Sequence, residues 1–152
     1  MENIKSKFIK SIIYIILVLF ILTIIFFIRN INLVKNEDFY IFMKKAYTTN
    51  NGYTKEISKH MSKNVFDKTN GFKVFKGNSK YKKPYKITFF ELKQDSKKIR
   101  FNKIYIYMRD SISVSDSNNK EIGGYRNSLV KYTVKKIDNT WYITDNEILV
   151  DE

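Results

Sequence analysis

The chain begins with an unbroken apolar run and then changes first to helical and later to strand periodicity. The run from Ser11 to Ile28 contains 18 residues and no charge. At about 1.5 Å per residue it forms a helix of about 27 Å, close to the roughly 30 Å hydrocarbon core of a bilayer. It therefore predicts a transmembrane helix over 11–28. A buried soluble helix is the alternative, but it would be apolar on every face beside a domain too small to enclose it.

The flanks of this run predict an uncleaved signal-anchor. A cleaved signal peptide has an apolar region of about 7–15 residues followed by a small-residue site, which the sequence here does not match. Lys5, Lys7 and Lys10 precede the run, and Arg29 and Lys35 follow it. The positive-inside rule then predicts a cytoplasmic tail over 1–10 and, outside the cytoplasmic membrane, one domain over 36–150.

Helical signals open this domain. Asn36 is followed by two acids and by apolar residues at helical spacing, which predicts a capped helix of about three turns. Asn50-Asn51-Gly52 ends it, because these residues tolerate left-handed conformations. Thr54 is a candidate cap for a second helix, with Ile57 and Met61 on its inner face. A third short helix is predicted over Ser62–Lys68.

Beyond Gly71 the apolar period changes to two, which is typical of strands. Gly123-Gly124 is a candidate β-bulge. Polar turns are predicted over 115–120 and 138–140. The predicted strands cover residues 86–93, 99–115, 121–137 and 141–150. Helices followed by a strand meander predict an α+β domain, in which N-terminal helices pack on a curved antiparallel sheet.

The closing pattern resembles the nuclear transport factor two-like superfamily of cone-shaped α+β domains. The residues that carry the likeness are Val130, Tyr132 and Val134, the turn 138–140, and then Trp141, Ile143 and Ile148. Within that superfamily, a membrane helix followed by one exported cone is similar to the bitopic assembly component of type IV secretion and conjugation systems, including Gram-positive relatives. The resemblance implies a non-catalytic scaffold that associates with itself and with other channel subunits.

Composition narrows the possible chemistry. The chain has 28 Lys and Arg against 15 Asp and Glu, a net charge of +13, with no cysteine and one histidine. Without cysteine there is no thiolate for a zinc site, an iron–sulfur cluster or a nucleophile. His60 shares a helix face with Glu56, but no spacing supplies a third metal ligand, so we predict no metal and no cofactor.

The charge is concentrated in the middle of the chain. Residues 44–103 carry 17 bases and four acids, whereas 137–152 carry five acids and no base. The densest stretch, 71–86, is a candidate surface for anionic partners, because it interleaves bases and aromatic rings. Its candidate residues are Phe72, Lys73, Phe75, Lys76, Lys80, Tyr81, Lys82, Lys83, Tyr85 and Lys86.

Three interpretations of this stretch stay open. Lysines and rings suit anionic lipid headgroups or wall polymers outside a membrane. The same residue types bind single-stranded nucleic acid, but the sharper signature of a recognised RNA module is absent. A solvated loop in a chain whose lysine content reflects codons rich in A and T is the plainest interpretation.

Asp110 is the candidate catalytic residue of an enzymatic alternative. It shares strand parity with Ile104, Ile106 and Met108, so it would face inward and act as a buried general base if that parity holds. A bend would instead place Arg109 and Asp110 at a solvated rim, which is the interpretation we favour from sequence. No familiar hydrolase, kinase or dehydrogenase motif is present.

Together these observations predict a membrane-anchored, non-catalytic scaffold or interaction domain on the outer side of the cytoplasmic membrane. Its expected partners are membrane lipid, other envelope proteins and a second copy of itself. The alternatives are a module that binds anionic lipid or wall polymer, and a cone that binds or transforms a small ligand.

Overall fold

The computed structural model describes residues 2–31, 36–75, 84–138 and 140–150, and the chain divides into the units Met1–Leu33 and Val34–Glu152. The first unit is the helix α1 (Glu2–Ile31). Its window Ile9–Phe26 has a mean hydropathy of 2.8 and none of it is buried. The helix is therefore long and apolar enough to cross a membrane, a property that transmembrane anchors share with signal sequences.

The second unit opens with four helices whose caps follow the sequence. They are α2 (Asn36–Thr48), α3 (Lys55–Ser58), α4 (Lys63–Thr69) and α5 (Gly71–Val74). The Thr54 hydroxyl accepts from the backbone N–H of Ile57, and the Ser62 hydroxyl accepts from that of Val65. Each cap satisfies an N–H that would otherwise lack a helical partner.

The helices are followed by a four-stranded antiparallel sheet with the strand order β1-β2-β3-β4. The strands are β1 (Lys86–Arg100), β2 (Lys103–Ser115), β3 (Glu121–Ile137) and β4 (Thr140–Val150). The order is a simple meander, since each strand pairs with the next along the chain. The predicted α+β class, with helices preceding an antiparallel sheet, is confirmed.

Three sequence expectations are corrected. β1 continues to Arg100, so Phe101 and Asn102 form a turn rather than the start of a strand. The polar stretch 94–98 is accommodated because β1 is an edge strand and carries a register shift between Gln94 and Ser96. Residues Gly71–Val74 form helix α5, whereas the sequence pattern predicts strand periodicity beyond Gly71.

The glycine pair is not itself a bulge. Gly123 and Gly124 pair regularly with Val114 and Ser113, and the register shifts lie on either side of them. Gly124 instead lets the backbones of β2 and β3 approach each other closely, because a Cβ at this position would lie 2.4 Å from the carbonyl oxygen of Ile112.

The core lies between α2 and the inner face of the sheet. Phe39 packs on Tyr132 and Trp141, with ring centroids 6.1 and 5.6 Å apart, and Phe42 packs edge-on against Trp141 at 5.1 Å. From the sheet, alternate β2 residues supply the opposing layer, namely Ile104, Ile106 and Met108. These contacts fix the first half of α2 against the start of β4.

Asn70 ties the helices to one another from a buried position. Its Nδ2 donates to the carbonyls of Ala46 and Thr49 at 2.8 and 2.9 Å, and reaches that of Tyr47 at 3.4 Å. Its Oδ1 accepts from the backbone N–H of Lys73 at 3.2 Å. One side chain therefore closes the C-terminal end of α2 and caps α5.

We expect Asn70→Ala to lower the free energy of unfolding by about 2 kcal/mol or more, because buried carbonyls lose their donor. Asn70→Asp should be worse, since a carboxylate would face those carbonyl oxygens. Urea unfolding of the full chain in detergent micelles measures both. The exposed Asn118→Ala serves as the control and should change stability by less than about 0.5 kcal/mol; equal effects at the two positions would contradict the role given to Asn70.

Candidate functional site

The structure brings together part of the basic, aromatic stretch 71–86. Phe72, Lys73 and Tyr85 line a cleft of about 480 Å³. The ring of Phe75 lies over Gly123 of β3, where it would be 2.8 Å from a Cβ at that position. Lys86 is exposed at the start of β1. The other predicted residues, Lys76, Lys80, Tyr81, Lys82 and Lys83, lie outside the residues that the structure describes.

The remaining lining of this cleft comes from Thr49, Asn50 and Gly52, which follow α2, and from Asn70 and Pro84. Two rings and one lysine around polar residues could accept a small anionic group or a planar ring. The amide of Asn70 is already engaged with helix carbonyls, so Lys73 is the charged side chain of this lining.

Asp110 lies inside the domain, contrary to the solvated rim favoured from sequence. Its exposed fraction is 1%, because the alternation of β2 continues through it without a bend. The Tyr125 hydroxyl donates to Asp110 Oδ2 at 2.8 Å, and the Tyr47 hydroxyl also interacts with the carboxylate. The inward face of the sheet thus carries a buried carboxyl group with phenol donors around it.

A hydrogen-bonded chain extends from this carboxyl group across the interior. The hydroxyls of Tyr47 and Tyr132 are 2.6 Å apart, one donating to the other. Tyr132 also interacts with Thr69, whose hydroxyl accepts from Asn146 Nδ2 at 3.3 Å. We call Asp110, Tyr125, Tyr47, Tyr132 and Thr69 the buried polar cluster.

Burial governs the acidity of its two central phenols. Desolvation, followed by the neighbouring Tyr132 and Asp110 groups, raises the pKa of Tyr47 well above its ordinary value. Desolvation and then the Asp110 charge raise the pKa of Tyr132 as well. Both phenols therefore stay protonated and act as hydrogen-bonding groups over the physiological pH range.

His60 has a packing role. Its ring stacks on Trp141 with centroids 4.0 Å apart, and its Nδ1 lies 3.0 Å from the Trp141 carbonyl oxygen. Glu56 pairs instead with Lys45, whose hydrogen bond lowers the pKa of that carboxyl group. Among the described residues, no group of three or more His, Asp or Glu side chains could hold a metal ion.

The opposite face of the sheet is basic and aromatic. Lys98 Nζ lies 5.2 Å from the centre of the Tyr107 ring, and Lys131 Nζ lies 6.0 Å from that of Tyr105. Lys131 also pairs with Glu147, and this hydrogen bond raises the pKa of the lysine. We call Lys98, Tyr105, Tyr107 and Lys131 the outer sheet face, a surface that the sequence did not single out.

Comparisons with protein-family profiles and with curated proteins find no match. A solved structure with some similarity is the crystal structure of the intermembrane space region of the chloroplast protein ARC6. The aligned part is 23% identical and covers 43% of this chain and 55% of that chain, with a TM-score of 0.33. A likeness of that size informs neither the fold nor the function of this chain.

The buried polar cluster predicts a loss of stability at alkaline pH. The pKa values of Tyr47 and Tyr132 are raised on folding, so their contribution is complete below pH about 10 and is lost as the pH rises above it. Each phenol contributes a slope of up to about 1.4 kcal/mol per pH unit. The Tyr47→Phe/Tyr132→Phe double variant should therefore lose less stability than the parent between pH 9 and 11.5.

Urea unfolding of the full chain in detergent at several pH values measures this difference. Because both partners of the Tyr47–Tyr132 hydrogen bond are removed together, and Tyr125 still donates to Asp110, the double variant should stay folded near neutral pH. Tyr105→Phe on the outer sheet face is the matched control and should follow the parent. Parallel pH profiles for parent and double variant would contradict the assignment.

Proposed function

We propose that this protein is a membrane-anchored, non-catalytic scaffold or interaction domain on the outer side of the cytoplasmic membrane. The observation that carries the proposal is α1, whose 18-residue apolar window has no part buried by the rest of the chain. A long, exposed and predominantly apolar helical segment is stable in hydrocarbon and costly in water. The length of the run, and flanking residues that do not match a small-residue cleavage site, favour an anchor over a removable signal sequence.

Two features of the folded unit support an interaction role. Among the described residues, buried side chains surround Asp110, and the clefts lined by Phe72, by Trp141 and by Tyr142 do not include it. Charge and rings are concentrated on surfaces, such as the outer sheet face. The proposal therefore treats the buried polar cluster as a structural element that positions α2 on the sheet.

The architecture also supports membership of the nuclear transport factor two-like superfamily. Helices that precede a four-stranded antiparallel meander, with Trp141 opening its last strand, suit that type of domain. On the same grounds the protein would belong to a secretion or conjugation complex, in the position of a bitopic assembly subunit. Its partners would then be envelope proteins and a second copy of the chain.

The topology is testable with reporters. Alkaline phosphatase fused after Glu152 should be active, and green fluorescent protein at the same position should be dark, because the bases before the anchor hold the N-terminus inside. Replacing Lys5, Lys7 and Lys10 together with Glu should reduce the phosphatase signal several-fold. A fluorescent, phosphatase-inactive parent would contradict the orientation, and equal activity in parent and variant would contradict its cause.

The scaffold role is testable by photocrosslinking in membranes. We expect benzoylphenylalanine at Tyr107, on the outer sheet face, to give dimer-sized products or products with an identified envelope protein. The same probe at Asn118, in the β2–β3 turn, is the matched control and should give several-fold less. Products that are absent at position 107 or equal at both positions would count against an interface on the outer sheet face.

A further inference from the structure

Two hairpin turns lie at one end of the sheet. β1 and β2 are joined through Phe101 and Asn102, and β3 and β4 are joined through residues 138–139. Because the strands form an antiparallel meander, both turns lie at the same end, and the β2–β3 turn lies at the other. The pairing of Ile104 with Val134 places the two hairpins side by side.

Each of these turns carries an exposed apolar side chain. Phe101 is 82% exposed and Ile137 is 44% exposed. Around them are many bases and one acid, Asp138. The bases in 97–103 and 135–140 are Lys97, Lys98, Arg100, Lys103, Lys135 and Lys136. Lys98 belongs to the outer sheet face, since its Nζ lies over the Tyr107 ring. We call the two turns with Lys97, Arg100, Lys103, Lys135 and Lys136 the basic turn end.

The β2–β3 turn, at the opposite end of the sheet, has a different character. The β2–β3 turn consists of polar residues, and its Asp116 carboxylate accepts from the backbone N–H groups of Asn118 and Lys120 at 2.9 and 3.0 Å. Its described residues include no large exposed apolar side chain. Among the described hairpin turns, exposed apolar side chains next to bases therefore occur at the end formed by the β1–β2 and β3–β4 turns and not in the β2–β3 turn.

The chain enters the domain beside the basic turn end. Asp38, Ile41 and Phe42 from the first half of α2 line a cleft together with Trp141, which pairs with Lys136 next to the β3–β4 turn. At the other end of α2, Tyr47 packs on Phe90, far along the sheet from both turns. In sequence, residues 32–35 alone separate α1 from α2.

We propose that the basic turn end rests on an anionic lipid bilayer, with Phe101 and Ile137 in the interface and the surrounding bases among the headgroups. Aromatic and aliphatic side chains partition into the interfacial region, and lysine and arginine are attracted by anionic headgroups. Two turns that each present one apolar residue form a shallow contact. Together with the anchor they make a second attachment, which restrains the tilt of the domain on the membrane.

This inference rests on the proposed function in one respect, since α1 must be a membrane anchor that holds the domain close to a bilayer. Beyond that function, the inference identifies the basic turn end as the surface that faces the lipid. The outer sheet face then stays accessible to proteins. Lipid is the proposed occupant because the four residues 32–35 limit how far the start of α2 can lie from a bilayer that α1 spans, and because the charge of this end complements anionic headgroups.

The absence of cysteine gives a clean test. Asn102→Cys and Asn118→Cys place an environment-sensitive NBD probe on opposite turns, both at exposed positions, with Phe101 retained. The full chain is reconstituted in a two-to-one mixture of phosphatidylcholine and phosphatidylglycerol that contains spin-labelled lipid. We expect the lipid to quench the probe at position 102 roughly twofold or more and to leave position 118 nearly unquenched.

Two variants test the cause of this quenching. Phe101→Ser in the Asn102→Cys background should remove most of it by removing the apolar contact. Arg100→Glu with Lys103→Glu should reduce it in anionic vesicles. Lys120→Glu on the opposite turn is the control and should change nothing. Circular dichroism checks that each variant is folded, which is expected because the substituted side chains lie at a turn.

The outcomes separate this inference from the anchor itself. A third probe at Val18→Cys, within the apolar window of α1, should be strongly quenched if α1 spans the bilayer. Quenching at 18 with equal, weak quenching at 102 and 118 would overturn the lipid contact and leave the anchor intact. Quenching at 102 that survives both variants would also overturn it, while loss of quenching at 18 would refute the anchor.

Discussion

The contact between the buried side chains of Tyr47 and Tyr132, whose hydroxyls share a hydrogen bond, joins the helical layer to the sheet and specifies the position of α2. Two large side chains can meet in the core only if their hydroxyls satisfy each other, because an unpaired buried hydroxyl is costly. The contact fixes the end of α2 over β3, which in turn sets Phe39 and Phe42 against Trp141. Asp110 extends the same network, so the polar and apolar parts of the core specify one packing arrangement.

Much of the fold could be predicted because local signals agreed with tertiary packing. The caps at Thr54 and Ser62 act as side-chain acceptors at helix starts, and β3 has the bounds that its period-two pattern predicts. β1 was too short in the prediction because its polar second half resembles a loop. An edge strand can be polar on both faces, and only its pairing with β2 distinguishes it from a loop.

The candidate sites were less predictable, because their members meet through pairing and packing. Parity alone pointed Asp110 inward, but Tyr125 and Tyr47 reach it from another strand and from a helix. Phe101 was placed in a strand, although a lone apolar residue between bases and followed by Asn102 is compatible with a turn. The charge count indicates a basic protein. It does not show which face of the sheet each lysine lies on, because that depends on the strand register.

A single exposed phenylalanine needs no explanation, since folded proteins expose many apolar atoms. Phe101 is distinguished by the residues near it in the fold. The exposed Ile137 and several bases lie at the same end of the sheet, whereas the β2–β3 turn at the other end consists of polar residues. Bases also lie near the other end, at Lys86, Lys120 and Arg126, so charge alone does not distinguish the two ends. What differs along the strand direction is the composition of the hairpin turns, and a domain anchored to a membrane, as proposed, has a physical use for that difference.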